Sequence, residues 1–343
     1  QYIGHLSVSK NDHQMKLSRF AGAMLACTLI IGCAPFDAPM RHDERPAKVD
    51  VGDAAAPWQK GAIVTAANPH AVAAAAEVLE KGGHAVEAAI AAHAVLGLVE
   101  PQSSGRGGGA FMLVYQRAGG ALTFLAGRES APAAATVDMF VRDGEVLSFL
   151  DAWQSGLAVG VPGTVALYKR AHDDYGKLPW AELFEPAIRL AVQGFKVSPR
   201  MADSLVYVAP IGRLDENPAT AAYFFPNGQP LQAGHLLRNP EYAATLRRIA
   251  EEGIEAFYSG EIAEAIAKAA QEEPLGGRLS VEDIASYEVI ERPVICGRFR
   301  VRKICTTSPP SSGVAQIMIA GIYDHLVAAA ATQQDKVAAF VDA

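Results

Sequence analysis

A glycine-rich loop between residues 101 and 111 restricts the fold of this chain more than any other feature. The segment reads PQSSGRGGGAF, and four of the five positions from Gly105 to Gly109 are glycine. Backbone without Cβ atoms can approach a ligand or a neighbouring strand closely. The pattern indicates a helix that ends near Leu98 and a strand that starts at Phe111. We therefore expect the loop where a helix leads into a sheet.

Nucleotide binding is one interpretation of this loop, and close packing of backbone is the other. A dinucleotide site needs G-x-G-x-x-G between a strand and a helix, and a phosphate loop ends in G-K-[ST]. Here the helix precedes the loop, the strand follows it, and no lysine closes it. The sequence therefore favours close packing at the entry to a sheet.

Helical and strand patterns alternate along the chain without the regular βαβ order of a doubly wound sheet. Asn68-Pro69 starts an Ala-rich helix that stops at Gly82-Gly83, and a second helix is expected from Ala85 to Leu98. Further expected elements are strands at 61–66, 111–115 and 122–125, helices at 161–173, 183–193, 241–252, 260–271 and 315–325, a helix start at Ser280 with Asp283, and a β-hairpin at 288–307. This mixture predicts an α/β (α+β) fold.

Composition and charge are those of an ordinary globular protein. Half of the 343 residues are hydrophobic and a fifth are charged, which is ample for a buried core. The formal net charge is −7, and no cluster of Lys and Arg indicates nucleic-acid binding. The nine histidines are scattered, and no metal-binding spacing of His or Cys occurs. The residues therefore predict no metal, no cofactor and no nucleic-acid partner.

The N-terminal segment resembles a bacterial export signal. Lys16 and Arg19 form a charged region before an apolar run from Phe20 to Gly32, which is too short to span a bilayer as a stable helix. A small residue directly before Cys33 resembles a lipobox, in which the cysteine is lipidated. An ordinary cleaved signal with a chance cysteine is the alternative.

Three regions are expected along the chain. Residues 1–33 form a leader and lipoprotein-type signal with lipidation at Cys33, residues 34–57 form a tether with several prolines, and residues 58–343 form the folded portion. This organisation predicts an exported, periplasmic, lipid-anchored protein that touches the membrane only through its anchor.

Arg128 and Glu129 follow an expected strand in the sequence GRESAP. An arginine at a strand end can present a planar fork to a carboxylate, with two parallel charge-assisted hydrogen bonds. The alternative is a surface ion pair between Arg128 and Glu129 or another acid. The residues alone leave both interpretations open.

The segment SPPSSGVAQ, from Ser308 to Gln316, precedes an apolar helix. Ser311 or Ser312 can cap that helix. A serine nucleophile would need a base and an orienting group, and a G-x-S-x-G elbow is absent. Helix capping is therefore the favoured interpretation.

Cys296 and Cys305 face each other across the expected hairpin if it turns at Arg300-Val301. Opposed strand residues lie about 4.5 to 5.5 Å apart, which is compatible with a disulfide. However, Arg-Val contains no Gly or Asn to supply the positive φ of a two-residue turn. The sequence is therefore compatible with a disulfide between these cysteines and with two free thiols.

Together these segments resemble the large-subunit half of the γ-glutamyltranspeptidase family. The resemblance runs from about Gly61 to the C-terminus, with His84 in place of a common Asn and Val314 in place of a Gly. Its motifs are GAIVTAANPHA, EKGGHAVEAAIAAHAVLGLVEPQSSGRGGGAF, GRESAPAAA, VGVPGTVALY, EAFYSGEIAEAIAK, GGRLSVEDIASYEV, ERPVICGRFRV and SPPSSG. Many motifs in one order make the resemblance specific.

The resemblance implies an N-terminal-nucleophile hydrolase, a four-layer αββα sandwich, present here as the large-subunit half only. In the family a precursor cuts itself, and the new N-terminal Thr of the small subunit is both nucleophile and, through its amine, general base. The implied partners are glutathione or another γ-glutamyl substrate, an amino-acid or peptide acceptor, water, and the small subunit from the same precursor. No cofactor is implied.

The resemblance places the family's carboxylate-binding arginine at Arg128, with Glu129 holding it. Thr306-Thr307 precede the PPSSG loop and are not expected to be the nucleophile, which is expected beyond Ala343. The chain as it stands is therefore expected to be inactive. The alternatives are a glutaryl or cephalosporin-type acylase of the same fold and a non-catalytic, lipid-anchored binding fragment.

Overall fold

The computed structural model of the protein describes residues 61–272, 275–329 and 332–343. The expected signal at 1–33, the lipidation site Cys33 and the tether at 34–57 lie outside the described residues. The first residue of the expected folded region, 58–343, also lies outside the described residues, so this boundary stays a prediction.

Helices and short antiparallel strands make up the described chain. The helices are α1 Pro69–Glu80, α2 Ala85–Val99, α3 Phe149–Trp153, α4 Thr164–Tyr175, α5 Glu185–Gln193, α6 Pro199–Gly212, α7 Pro218–Phe224, α8 Pro240–Glu252, α9 Glu255–Tyr258, α10 Gly260–Ala270, α11 Val281–Ala285, α12 Gly313–Val327 and α13 Gln333–Asp342. The strands are β1 Ala110–Gln116, β2 Ala121–Gly127, β3 Val141–Arg142, β4 Glu145–Val146, β5 Phe195–Lys196, β6 Leu236–Leu237, β7 Ile290–Arg292, β8 Val294–Phe299 and β9 Arg302–Thr307.

The starts of the first two helices follow from side chains that cap them. The Asn68 side chain accepts a hydrogen bond from the His70 backbone N–H at 3.0 Å. At the start of α2, His84 Nδ1 accepts from the Val86 N–H at 3.2 Å, while Glu87 accepts from the His84 N–H at 2.6 Å. His84 therefore works as a helix cap, and both expected helices are confirmed.

The prediction of a strand at 61–66 is wrong. The apolar alternation is present, because Val64 and Ala66 pack against the core while Ile63 is exposed. These residues pair with no strand in the described part of the chain. They lie along the helices α1 and α2 instead, so the alternation reflects burial against helices and not a sheet.

The main sheet has the order β1-β2-β7, with all neighbours antiparallel. Its register sets Phe111 opposite Ala126 and Phe124 opposite Arg292. One face, which carries Leu125, belongs to the helical core. Phe111, Phe124 and Ala126 are on the other face, because side chains alternate along a strand.

The prediction of a single hairpin at 288–307 is wrong for the residues before 294. Residues 290–292 pair with β2, and only 294–299 pair with 302–307. Pro293 separates the two parts, and its missing N–H interrupts a ladder of hydrogen bonds. The chain therefore leaves one sheet and enters the next at this proline.

The turn at Arg300-Val301 is confirmed, and Arg300 supplies the positive φ itself, at 53°. Cys296 and Cys305 are directly opposed, with their Cα atoms 4.1 Å apart, and a disulfide joins them.

The layers follow the order α, β, β, α, as expected for this sandwich. Helix α4 packs against β1 and β2, the hairpin β8–β9 lies against the same two strands, and α12 packs on that hairpin. The α/β (α+β) prediction is confirmed. In the part of the chain that the structure describes, no helix has the length and apolar character needed to cross a bilayer.

Candidate functional site

Arg128 leaves the end of β2 with 57% of its side chain exposed. Its Nε lies 3.4 Å from Glu129 Oε2, and its guanidinium carbon lies 5.8 Å from the centroid of the Phe111 ring. Glu129 is the ion-pair partner of Arg128 within the described residues. The pair engages Nε and leaves both Nη groups without an ion pair. The Nη groups of Arg128 can therefore bind a carboxylate while Glu129 holds the guanidinium group in place.

The backbone at Arg128 is fixed by a tyrosine from a distant segment. Tyr287 donates a hydrogen bond to the Arg128 carbonyl at 2.7 Å. The Tyr287 ring stacks on Tyr258, with centroids 6.1 Å apart, and Tyr258 donates to the Pro162 carbonyl at 2.8 Å. This stack ties the strand end to the turn before α4.

The glycine-rich loop is packed directly against the same strand end. A Cβ atom on Gly109 would lie 2.7 Å from both the Glu129 nitrogen and the Gly127 carbonyl oxygen. The Gly108 carbonyl accepts hydrogen bonds from the Gly163 N–H at 3.0 Å and the Thr164 hydroxyl at 2.9 Å. The close-packing interpretation is confirmed for Gly109, whereas a Cβ atom on Gly105 or Gly107 would meet nothing within 4 Å.

Arg106, inside the glycine run, is buried although the sequence pattern did not indicate it. Its Nη2 donates to the Ala94 carbonyl at 2.9 Å, and its guanidinium lies 4.2 Å from the centroid of the Tyr242 ring. Tyr242 donates to the same carbonyl at 2.7 Å. The loop is thereby anchored to α2 and α8. In the sequence, the single arginine within the run of glycines was the only feature that could have indicated this anchoring role.

Glu100, at the start of the loop, joins four partners from three segments. Its Oε1 accepts from Asn68 Nδ2 at 2.8 Å and from the Ser198 hydroxyl at 3.1 Å. Its Oε2 accepts from Gln102 Nε2 at 2.6 Å and from Arg200 Nη1 at 2.9 Å. This buried carboxylate fixes the loop relative to α1 and α6.

Two clefts adjoin at Arg128 and Pro310, which line both. One, of about 580 Å³, lies between Arg128 and the serine loop; the other, of about 460 Å³, extends over β7. The first is lined by Phe111, Arg128, Thr306, Thr307, Pro310, Ser311, Ser312, Gly313 and Gln316. No histidine or carboxylate is among these lining residues, so the described cleft offers a serine no base.

The capping interpretation is confirmed for Ser311 and wrong for Ser312. The Ser311 hydroxyl accepts from the Gly313 N–H at 3.1 Å and is hydrogen-bonded to the Thr307 hydroxyl. Ser312 occupies the cap position of α12 without a side-chain cap bond. Within the described ranges, no three His, Cys, Asp or Glu side chains are grouped to hold a metal ion.

Curated relatives of this chain include glutathione hydrolase proenzymes. The chain is 36% identical over 311 residues to that of Bacillus subtilis (strain 168), covering 88% of this chain and 51% of the relative. It is 38% identical over 260 residues to that of Escherichia coli (strain K12), covering 76% and 44% respectively. The chain therefore spans about half the length of the curated relatives it matches.

Solved structures share the fold. The γ-glutamyltranspeptidase of Helicobacter pylori aligns with a TM-score of 0.76 at 32% identity, covering 84% of this chain and 82% of that one. The cephalosporin acylase of Bacillus halodurans aligns with a TM-score of 0.62 at 26% identity, covering 78% and 52%. The N-terminal-nucleophile hydrolase fold is thus confirmed. With the Gamma-glutamyltranspeptidase family model matching residues 71–343, the chain belongs to the γ-glutamyltranspeptidase family.

Proposed function

We propose that this chain supplies the carboxylate-binding half of an enzyme that hydrolyses and transfers the γ-glutamyl group of glutathione and related compounds. The observation that carries the proposal is Arg128, whose exposed guanidinium borders both clefts while Glu129 engages its Nε. Relatives named glutathione hydrolase support the substrate class.

In the proposed reaction, Arg128 binds the α-carboxylate of the glutamyl group and so positions its γ-amide. The hydroxyl of an N-terminal Thr attacks the amide carbon; a C–O bond forms, the C–N bond breaks, and the amine leaves with the proton taken by the Thr amine. Water or an acceptor amine then attacks the ester and releases the Thr. We assign this Thr to the half of the family's length that this chain does not span.

The complete protein is expected to cleave itself into two subunits, because the Thr amine is free only after cleavage. Two bands should replace one on a denaturing gel, and replacing the new N-terminal Thr with Ala should leave one inactive band. Full activity from an uncleaved chain would contradict the proposed nucleophile.

Arg128→Lys in the complete protein should weaken binding of a γ-glutamyl anilide by about 1 to 3 kcal/mol. Lysine keeps the charge but loses the planar fork that binds both carboxylate oxygens. Steady-state kinetics should show a raised KM. Arg117→Lys, an exposed position beyond β1, is the matched control and should leave KM unchanged. Unchanged KM and kcat in Arg128→Lys would remove Arg128 from the site.

The second candidate is a glutaryl or cephalosporin-type acylase, which the similarity to a cephalosporin acylase supports. A glutaryl amide lacks the α-amino group of glutamate but offers the same kind of carboxylate to Arg128. Faster hydrolysis of the γ-glutamyl anilide supports the first proposal, and faster hydrolysis of the glutaryl amide supports the second. A complete protein without either activity would favour the non-catalytic binding role.

We also propose export to the periplasm and lipid anchoring through Cys33. The support is the sequence between Lys16 and Cys33 alone.

A further inference from the structure

Arg292 lies on the same face of the main sheet as Arg128. It pairs with Phe124 across the β2–β7 ladder, and directly opposed residues of two strands point to one face. Phe124, Ala126 and Arg128 are two residues apart along the chain, so they share that face. Both arginines line the cleft of about 460 Å³ that extends over β7.

The acids around this cleft are already engaged or stand at its edge. Glu129 pairs with Arg128. Asp283 accepts from the Ala133 N–H at 2.8 Å and from the Ser280 N–H at 2.9 Å, as part of a helix cap. Glu288 is exposed at the rim.

The side chain of Arg292, in contrast, makes no ion pair or hydrogen bond in the part of the chain that the structure describes. Its Nε is buried and without an acceptor. A buried donor without a partner is unfavourable, and for a guanidinium the fitting acceptor is a carboxylate or a phosphate. Among the described residues, the cleft therefore has two cations that can bind an anion: Arg128 through its Nη groups, and Arg292, whose side chain has no acidic partner.

The spacing of the two arginines suits a short peptide. Arg292 lies opposite Phe124, which precedes Arg128 by four residues. At the rise of a strand, four residues correspond to about 13 Å along the chain. An extended tripeptide spans about 10 Å, and long arginine side chains can close the difference. The two ends of such a peptide can thus reach both guanidinium groups.

We propose that Arg292 binds a second carboxylate of the substrate, the one at the end of the peptide released when the γ-amide is cleaved. The inference rests on the proposed γ-glutamyl chemistry and adds the residue that recognises the terminal carboxylate of the leaving group. In glutathione, Arg128 holds the glutamyl carboxylate and Arg292 holds that of the terminal glycine.

The test compares two donors on the complete protein carrying Arg292→Gln. Glutathione has the second carboxylate, and a γ-glutamyl anilide does not. We expect the KM for glutathione to rise about tenfold, the loss of one charge-assisted contact, and that for the anilide to stay within about twofold. Glutathione amidated at its glycine should be insensitive to the substitution, and Arg292→Lys should restore part of the affinity for glutathione.

Arg298→Gln, an exposed position on β8, is the matched control and should change neither KM. An equal loss on both donors together with a lower Tm would assign Arg292 to an ion pair within the complete protein and overturn the inference. Unchanged kinetics on glutathione would also overturn it. Failure of the proposed function is distinct, since the unsubstituted protein would then turn over neither donor.

Discussion

Gly109→Ala should lower the free energy of unfolding by about 3 kcal/mol and disable the site at the same time. The added Cβ would lie 2.7 Å from the Glu129 nitrogen and the Gly127 carbonyl oxygen, which are backbone atoms on either side of Arg128. Overpacking against atoms that cannot rotate away typically costs about 1 to 3 kcal/mol, and backbone contacts belong at the upper end. Relief of the overlap requires the strand end that carries Arg128 to move.

Urea unfolding measures the stability, and KM for a γ-glutamyl donor measures the displacement of Arg128. Gly107→Ala is the matched control, because its Cβ would meet nothing within 4 Å. That control should change stability by less than about 0.5 kcal/mol. If the two alanine variants unfold alike, the close approach at Gly109 is not what shapes the site.

Glu100→Ala should destabilise the fold by about 3 to 5 kcal/mol, the largest effect expected from one side chain here. The substitution leaves the buried Asn68 amide and the Ser198 hydroxyl without their acceptor. Breaking a buried, hydrogen-bonded charge commonly costs this much. The Arg200 contribution is smaller, because 55% of that side chain is exposed.

Thermal and urea unfolding against Glu77→Ala test this prediction. Glu77 also has two cationic partners, Lys81 and Arg189, but the cluster lies at the surface. Such pairs contribute about 0 to 1 kcal/mol, so the control should be nearly as stable as the original chain. Equal losses in both variants would show that burial of Glu100 contributes nothing.

Local sequence signals predicted local structure well. The cap at Asn68 and the capping box of Ser280 with Asp283 are both present. Each depends on atoms within a few residues, so its sequence carries enough information.

Pairings between distant segments were not predictable in the same way. The strand β7 joins β2 across 164 positions at the Ala126–Ile290 pair, and no short pattern encodes that choice. The segment at 61–66 shows the reverse case, a strand-like alternation satisfied by helices. The family resemblance predicted Arg128 as the carboxylate-binding residue, whereas the positions of Arg292 and Glu100 beside distant segments are set only by the fold.

In the proposed binding mode, the pairing of β7 with β2 sets the length of peptide that can bind. If the two arginines grip opposite ends of one peptide, their separation is set by the ladder and changes only in discrete steps. A slip of one residue would turn Arg292 to the helical face of the sheet, and a slip of two would move it by about 6.6 Å. A relative that prefers a donor two residues longer would then be expected to differ in the register of β7, with Arg128 left where it is.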